Sequence, residues 1–113
     1  MVDRLEYIPR RGDLVWIDFS PQSGHEQSGR RPAICISPEK YNQTVGLAIF
    51  CPITSATKGY PYEVLLPSNL TINGVVLSDQ VKSLDWQTRE VEYIDHIPEA
   101  VVSNILAKLH TLI

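Results

Sequence analysis

Ser23–Ser37, SGHEQSGRRPAICIS, is the stretch on which the reading of the whole chain turns. It begins as a polar loop carrying His25, Glu26, Gln27, Arg30 and Arg31, and it ends in the apolar run Ala33-Ile34-Cys35-Ile36. An imidazole, a carboxylate and two guanidiniums therefore collect where a loop enters a strand. Sites for chemistry on phosphate esters are often built this way, with ligating groups on a loop and a stiff element behind them.

Working outward, the run before the loop, Leu14–Phe19, is a strand, because its β-branched and aromatic residues suit a pleated surface. It follows a polar lead-in over residues 1–12 and the turn signal Arg11-Gly12-Asp13, and Ser20-Pro21 ends it. The loop 20–29 is long for a hairpin, and long loops in small domains usually carry function. The second strand is roughly Arg31–Ser37. Ser37-Pro38-Glu39 then has the form of a helix start, with Ser37 as N-cap and Pro38 at the first helical position, leaving about one turn to Asn42.

Val45–Cys51 is so continuously apolar that it is expected to be central, with both faces covered. A second polar loop, Pro52–Gly59, leads to a strand over Tyr62–Leu66, a turn at Pro67-Ser68-Asn69 and the tight-turn dipeptide Asn73-Gly74. Short strands at Val75–Leu77 and Val81–Leu84 flank Ser78-Asp79-Gln80, and Thr88–Ile94 is a further strand. The period then changes. Apolar residues at 101, 102, 105, 106, 109, 112 and 113 form one stripe of an amphipathic helix beginning at Pro98-Glu99. Six or seven short strands followed by one helix predict a small curled antiparallel sheet capped by that helix.

The totals are those of one domain spanning 1–113. Apolar residues make up 43% and charged residues 20%, with a formal net charge of −3. The acidic balance argues against sequence-blind binding of nucleic acid over the whole surface. It permits a local basic pocket, since each charge is screened beyond about 8 Å at physiological salt. Cys35 and Cys51 both sit in apolar runs and are expected to be buried thiols; neither has the neighbours of a zinc site, and no metal or other cofactor is expected. The N-terminal segment lacks the apolar core of a secretory signal and no run approaches the ~20 apolar residues of a membrane span. The expectation is a reduced, cytoplasmic protein without membrane contact.

With these residues in hand, the chain resembles the MazF/PemK family of toxin endoribonucleases. The resemblance runs through RRGDLVWIDFSPQSGHEQSGRRPAICISP, CPITSATKGYPYEV and GVVLSDQVKSLDW, and on into the terminal helix. It implies a mostly β fold with a C-terminal α-helix, a small SH3-like barrel shared with gyrase-poisoning (CcdB-like) toxins. It implies a homodimer that cuts single-stranded RNA at short sequences without a metal. It also implies a cognate antitoxin whose acidic disordered tail competes for the phosphate site. Arg31 matches the family's catalytic arginine, Glu26 a glutamate of the same site, Thr54 and Ser55 a hydroxyl pair, and Asp79-Gln80 an acidic step in a later loop. One branch of the family has an arginine two residues before that aspartate; here the position is Leu77, and that role is not carried over.

The chemistry explains why such residues are wanted. RNA cleaves when a 2′-hydroxyl attacks the adjacent phosphorus, so a catalyst must take that proton, stabilise charge on phosphorus and protonate the leaving 5′-oxygen. Arg31 supplies fixed charge and bidentate donors, and Thr54 or Ser55 a hydroxyl hydrogen bond. Glu26 is either the base or the group that orients Arg31, and His25 is a candidate acid. Arg30 and Gln27, Lys58 and Lys82, and Asp79 and Gln80 are candidate RNA contacts. Tyr60, Tyr62 and Trp86 are candidate stacking platforms, with Trp86 alternatively a dimer contact. Trp16 is expected in the core. The duller alternatives stay open: Arg31 as a surface ion pair with Glu26, Thr54 and Ser55 as turn hydroxyls, and Asp79 as a turn cap. At the level of function the rivals are a gyrase poison acting through the terminal helix and a non-catalytic barrel that binds RNA or a partner.

Overall fold

The computed structural model describes residues 7–20 and 29–113. Seven strands and two helices follow in chain order: β1 (Asp13–Asp18), β2 (Arg30–Cys35), α1 (Glu39–Val45), β3 (Ala48–Thr54), β4 (Glu63–Leu65), β5 (Val75–Leu77), β6 (Lys82–Leu84), β7 (Glu92–His96) and α2 (Glu99–His110). All described strand pairings are antiparallel. The order across the sheet is β4-β5-β3-β2-β1-β7, with β6 pairing β3 off this path. The fold is mostly β with a C-terminal helix, as expected. The sheet is curled but not closed: β4 and β7 are its two ends, and no described pairing joins them into a barrel.

β3 is the central strand. Its first half pairs with β6, Ala48 opposite Leu84, and its second half with β5, Thr54 opposite Val75, while its other edge carries β2, Ile34 opposite Cys51. Alternating side chains feed two cores on opposite faces. Leu14, Ile34, Cys51 and Ile53 join Val64, Val76, Ile97, Val102 and Ile105 on the face covered by α2. Val15, Ile17, Ala33, Cys35 and Phe50 join Phe19, Leu84 and Trp86 on the other. Each fully buried large apolar side chain contributes about 1.5–3 kcal/mol, so a strand covered on both faces is the most strongly fixed element of the sheet. Cys35 and Cys51 are free, fully buried and in different cores; burial pushes their thiols up to about 11 and about 12.

Several boundaries differ from the sequence reading. α1 runs two turns rather than one, and Ser37 does not cap it; Pro38 is the N-cap residue and no side chain bonds the helix start. Ser37 is instead buried, its hydroxyl donating to Asn42 Oδ1 at 2.5 Å and accepting from Ile49 N at 2.8 Å. β3 begins three residues late and runs through Pro52-Ile53-Thr54, which the sequence placed in a loop. β7 begins at Glu92, because residues 88–90 form a turn around the Asp85 carboxylate, which accepts from Gln87 N and Thr88 N at 3.1 Å each. In α2, Val102 and Ile105 are buried and Val101, Leu106 and Leu109 pack beside them. Leu112 and Ile113 lie past the helix end and are exposed.

The tryptophans reverse their expected places. Trp16, pairing across to Pro32, is only half-buried and belongs to neither core. Trp86 is 4% exposed, and its indole Nε1 donates to the Asn42 carbonyl at 3.2 Å. Trp86→Phe should keep most of the packing and remove one of the two bonds to that carbonyl, which still accepts from Gly46 N at 3.0 Å. The expected loss is about 0.5–1.5 kcal/mol, read from urea unfolding.

At the start of β1, the fully buried Asp13 carboxylate accepts from Tyr7 Oη and from Arg10 N at 3.0 Å. His96 Nδ1 stands 2.8 Å from its other oxygen, so this one carboxylate ties the lead-in and β7 to β1. Among the described residues no helix is long and apolar enough to cross a membrane.

Candidate active site

Three elements meet at a cleft of about 420 Å³. The start of β2 contributes Arg31 and Pro32, the end of β3 Ile53 and Thr54 with Ser55 just beyond, and the β4–β5 connection Thr71, Ile72 and Asn73. The register explains the meeting. Ala33 faces Pro52, so following the two strands outward brings Arg31 level with Thr54. On the other edge of β3, Thr54 faces Val75, which draws the preceding segment 71–74 against the same strand end.

The approach there is close. A Cβ on Gly74 would stand 2.4 Å from the Thr54 carbonyl oxygen and 3.3 Å from Ser55 N, and Gly74 has φ +133°. Only glycine fits this position without displacing backbone. Leu66 N donates to the Gly74 carbonyl at 3.0 Å, fixing the segment from its far side.

Arg31 is half-buried, and it is the one charged residue among the described residues that line the cleft. Hydroxyls of Thr54, Ser55 and Thr71 and the Asn73 amide complete a polar lining. Thr54 Oγ1 accepts from Ala56 N at 3.1 Å, which orients that hydroxyl at the strand end. A guanidinium among neutral hydrogen-bonding groups is the environment a phosphodiester anion wants.

Comparison with known proteins places the chain in a family. Residues 10–113 match the family model described as "PemK-like, MazF-like toxin of type II toxin-antitoxin system". The chain belongs to this toxin family. The Endoribonuclease toxin MazF of Escherichia coli (strain K12) is 43% identical over 113 residues, covering 100% of this chain and 99% of that protein. The Endoribonuclease toxin ChpB of the same organism is 34% identical over 118 residues, covering 100% and 99%. Among solved structures, MazF (Form-I) from Deinococcus radiodurans superposes with a TM-score of 0.92 at 50% identity, covering 95% of this chain and 97% of that one. A MazE-MazF structure (Form-II) from the same organism superposes at 0.83 with 45% identity, covering 95% and 96%.

In this MazF-like toxin the other expected site residues fall in different places. His25, Glu26 and Gln27 lie outside the described residues. Arg30 does not line the cleft. Its guanidinium donates to the Glu90 carbonyl at 2.9 Å and pairs with Glu92 Oε1 at 3.0 Å, because successive strand residues point to opposite faces. Trp86, buried, offers no stacking surface to RNA or to a second chain. Asp79 and Gln80 occupy the β5–β6 turn and Lys82 begins β6, facing Phe50; none lines the cleft.

Lys58 and Tyr60 stand exposed on the β3–β4 connection, directly after Ser55. That connection is tethered. Glu63 accepts from Thr57 Oγ1 at 2.7 Å, Lys58 N at 2.9 Å and Gly59 N at 3.0 Å. These bonds, led by that from Lys58 N, hold the Glu63 carboxyl below its ordinary range.

Sequence reading missed Thr71 and Ile72 altogether and took Asn73-Gly74 only as a turn. The dipeptide was the available signal, but nothing in the chain order tells which strand end that turn packs against.

Proposed function

We propose that this chain is the toxin of a type II toxin–antitoxin system and acts as an endoribonuclease on single-stranded RNA. The observation that carries the reading is the cleft in which Arg31 stands with Thr54 and Ser55. Membership of a family whose relatives are named endoribonuclease toxins supports it.

The mechanism follows from the groups present. The scissile phosphate seats against the Arg31 guanidinium, whose parallel donors match two phosphate oxygens. As the 2′-oxygen attacks, negative charge grows on the non-bridging oxygens, and a fixed cation in a partly dry cleft stabilises it more than water does. Thr54 or Ser55 donates a hydroxyl hydrogen bond to the same oxygens. Glu26 serves as base or orienter and His25 as acid. The P–O5′ bond breaks, giving a 2′,3′-cyclic phosphate and a 5′-hydroxyl. The reading takes residues 1–113 as a single toxin domain, working in the cytoplasm as a homodimer. It takes as partner an antitoxin whose acidic tail lays a carboxylate on Arg31, the route by which MazE would neutralise it.

Because side chains carry all three tasks, cleavage should be undiminished by EDTA. The test is the purified protein on mixed-sequence single-stranded RNA with chelator present. Discrete cuts ending in cyclic phosphate are expected. Activity that appears only when magnesium is returned would refute the metal-free route, binding without cutting would favour an inert module, and blocked gyrase with intact RNA a gyrase poison.

A further inference from the structure

The connection 55–62 contains no helix or strand, yet it joins the cleft wall to β4 and carries Lys58 and Tyr60 outward. Such a segment would sample many conformations unless something fixed it, and each would place those two side chains differently. The segment's far end is held by Lys108 Nζ, which donates to the Pro61 carbonyl, and by Ser78 N, which donates to the Tyr62 carbonyl at 3.1 Å, while residues 57–59 are gathered by a single carboxylate at the first residue of β4. Glu63 sits on the sheet, paired opposite Leu77, and reaches back to gather a hydroxyl and two backbone N–H groups of the connection. Gly59, at φ +77°, turns the chain so that its N–H and that of Lys58 converge on one anion. Glu63 N donates to the Tyr60 carbonyl at 3.1 Å, closing the turn.

We infer that Glu63 is a positioning residue of this ribonuclease, holding the Lys58–Tyr60 segment beside the cleft in the conformation that receives RNA. The inference rests on the ribonuclease reading above. Glu63 itself touches no substrate. Its charge fills the concavity formed by the Lys58 and Gly59 N–H groups, leaving the Lys58 ammonium as the group that meets phosphate and the half-exposed Tyr60 ring as the one that meets a base. A segment ordered before binding spares RNA the entropic cost of ordering it, which appears in KM. The bond-breaking step at Arg31 and Thr54 is separate from it.

The experiment compares wild type, Glu63→Ala, Glu63→Gln and Arg31→Ala on one short single-stranded RNA, with amide hydrogen exchange on the same proteins. For Glu63→Ala, KM should rise about tenfold with kcat within about twofold of wild type, and the Lys58 and Gly59 amides should exchange faster. Glu63→Gln keeps one acceptor oxygen and should recover part of the KM. Unchanged KM in Glu63→Ala would overturn the positioning role, whether or not those amides exchange faster, and so would a fall in kcat alone. Inert wild type, indistinguishable from Arg31→Ala, would instead overturn the ribonuclease reading and this role with it.

Discussion

Arg31→Ala should abolish RNA cleavage, by about 10³-fold or more in kcat, while unfolding at nearly the wild-type temperature. The size of the effect comes from where the charge sits. Arg31 is the only charged residue among the described lining of its cleft, so no described lining neighbour substitutes for it when charge builds on phosphorus. Its half-buried position lowers the local dielectric and strengthens each donor relative to water. Arg31→Lys should recover little, because an ammonium offers a point charge where a planar fork is needed. Stability should change little, since Arg31 belongs to neither core. Gel analysis of a labelled RNA, with a thermal melt of each variant, checks both halves. Cutting at the wild-type rate by Arg31→Ala would remove the guanidinium from the mechanism.

Gly74→Ala should be the most damaging small substitution outside the catalytic set. A methyl group at this position meets the Thr54 carbonyl oxygen at 2.4 Å, and the φ of +133° is one that residues with a Cβ rarely adopt. Both costs fall on backbone, so no side chain can swing aside to relieve them. Strain of this kind costs about 3 kcal/mol, which lowers the melting temperature of a domain this size by roughly 10 °C or more. The relief available is movement of the β3 end, and that carries Thr54 and Ser55 away from Arg31. Activity should therefore fall at temperatures where the variant is still folded. Gly46 is the control: its φ is +82°, but a Cβ there meets nothing within 4 Å. Gly46→Asn should be tolerated, because asparagine accepts a left-handed backbone at a helix C-terminus. Equal melting temperatures for Gly74→Ala and wild type would show that the segment 71–74 does not press on β3.

Much of this was legible from residue order because it depends on short-range patterns. The continuous apolar run of β3 announces a strand covered on both faces, and the two cores on either side of Phe50 and Cys51 are that pattern realised. The stripe through Val102, Ile105 and Leu109 likewise fixes α2, since helical spacing alone decides which side is apolar. What order could not separate was equal-looking polar and aromatic residues. Trp86 stands between Asp85 and Gln87, as an exposed ring would, yet it is buried because a turn folds the segment onto α1. Arg30 and Arg31 are adjacent in sequence, and only the face on which each strand residue points assigns one to Glu92 and the other to the cleft.

The chain by itself determined the mostly β class, the terminal helix and the family, which follow from periodicity and from motifs that are contiguous in sequence. That Arg31 shares a site with Thr54 and Ser55 was implied only by the family resemblance, and the β2–β3 register is what brings them together. The tertiary structure alone decided that the sheet stays open, that the segment 71–74 forms the third wall of the cleft, and that Glu63 tethers the neighbouring connection. Each of these depends on which strand edges pair and in what register, and register is settled by long-range packing that no local stretch encodes.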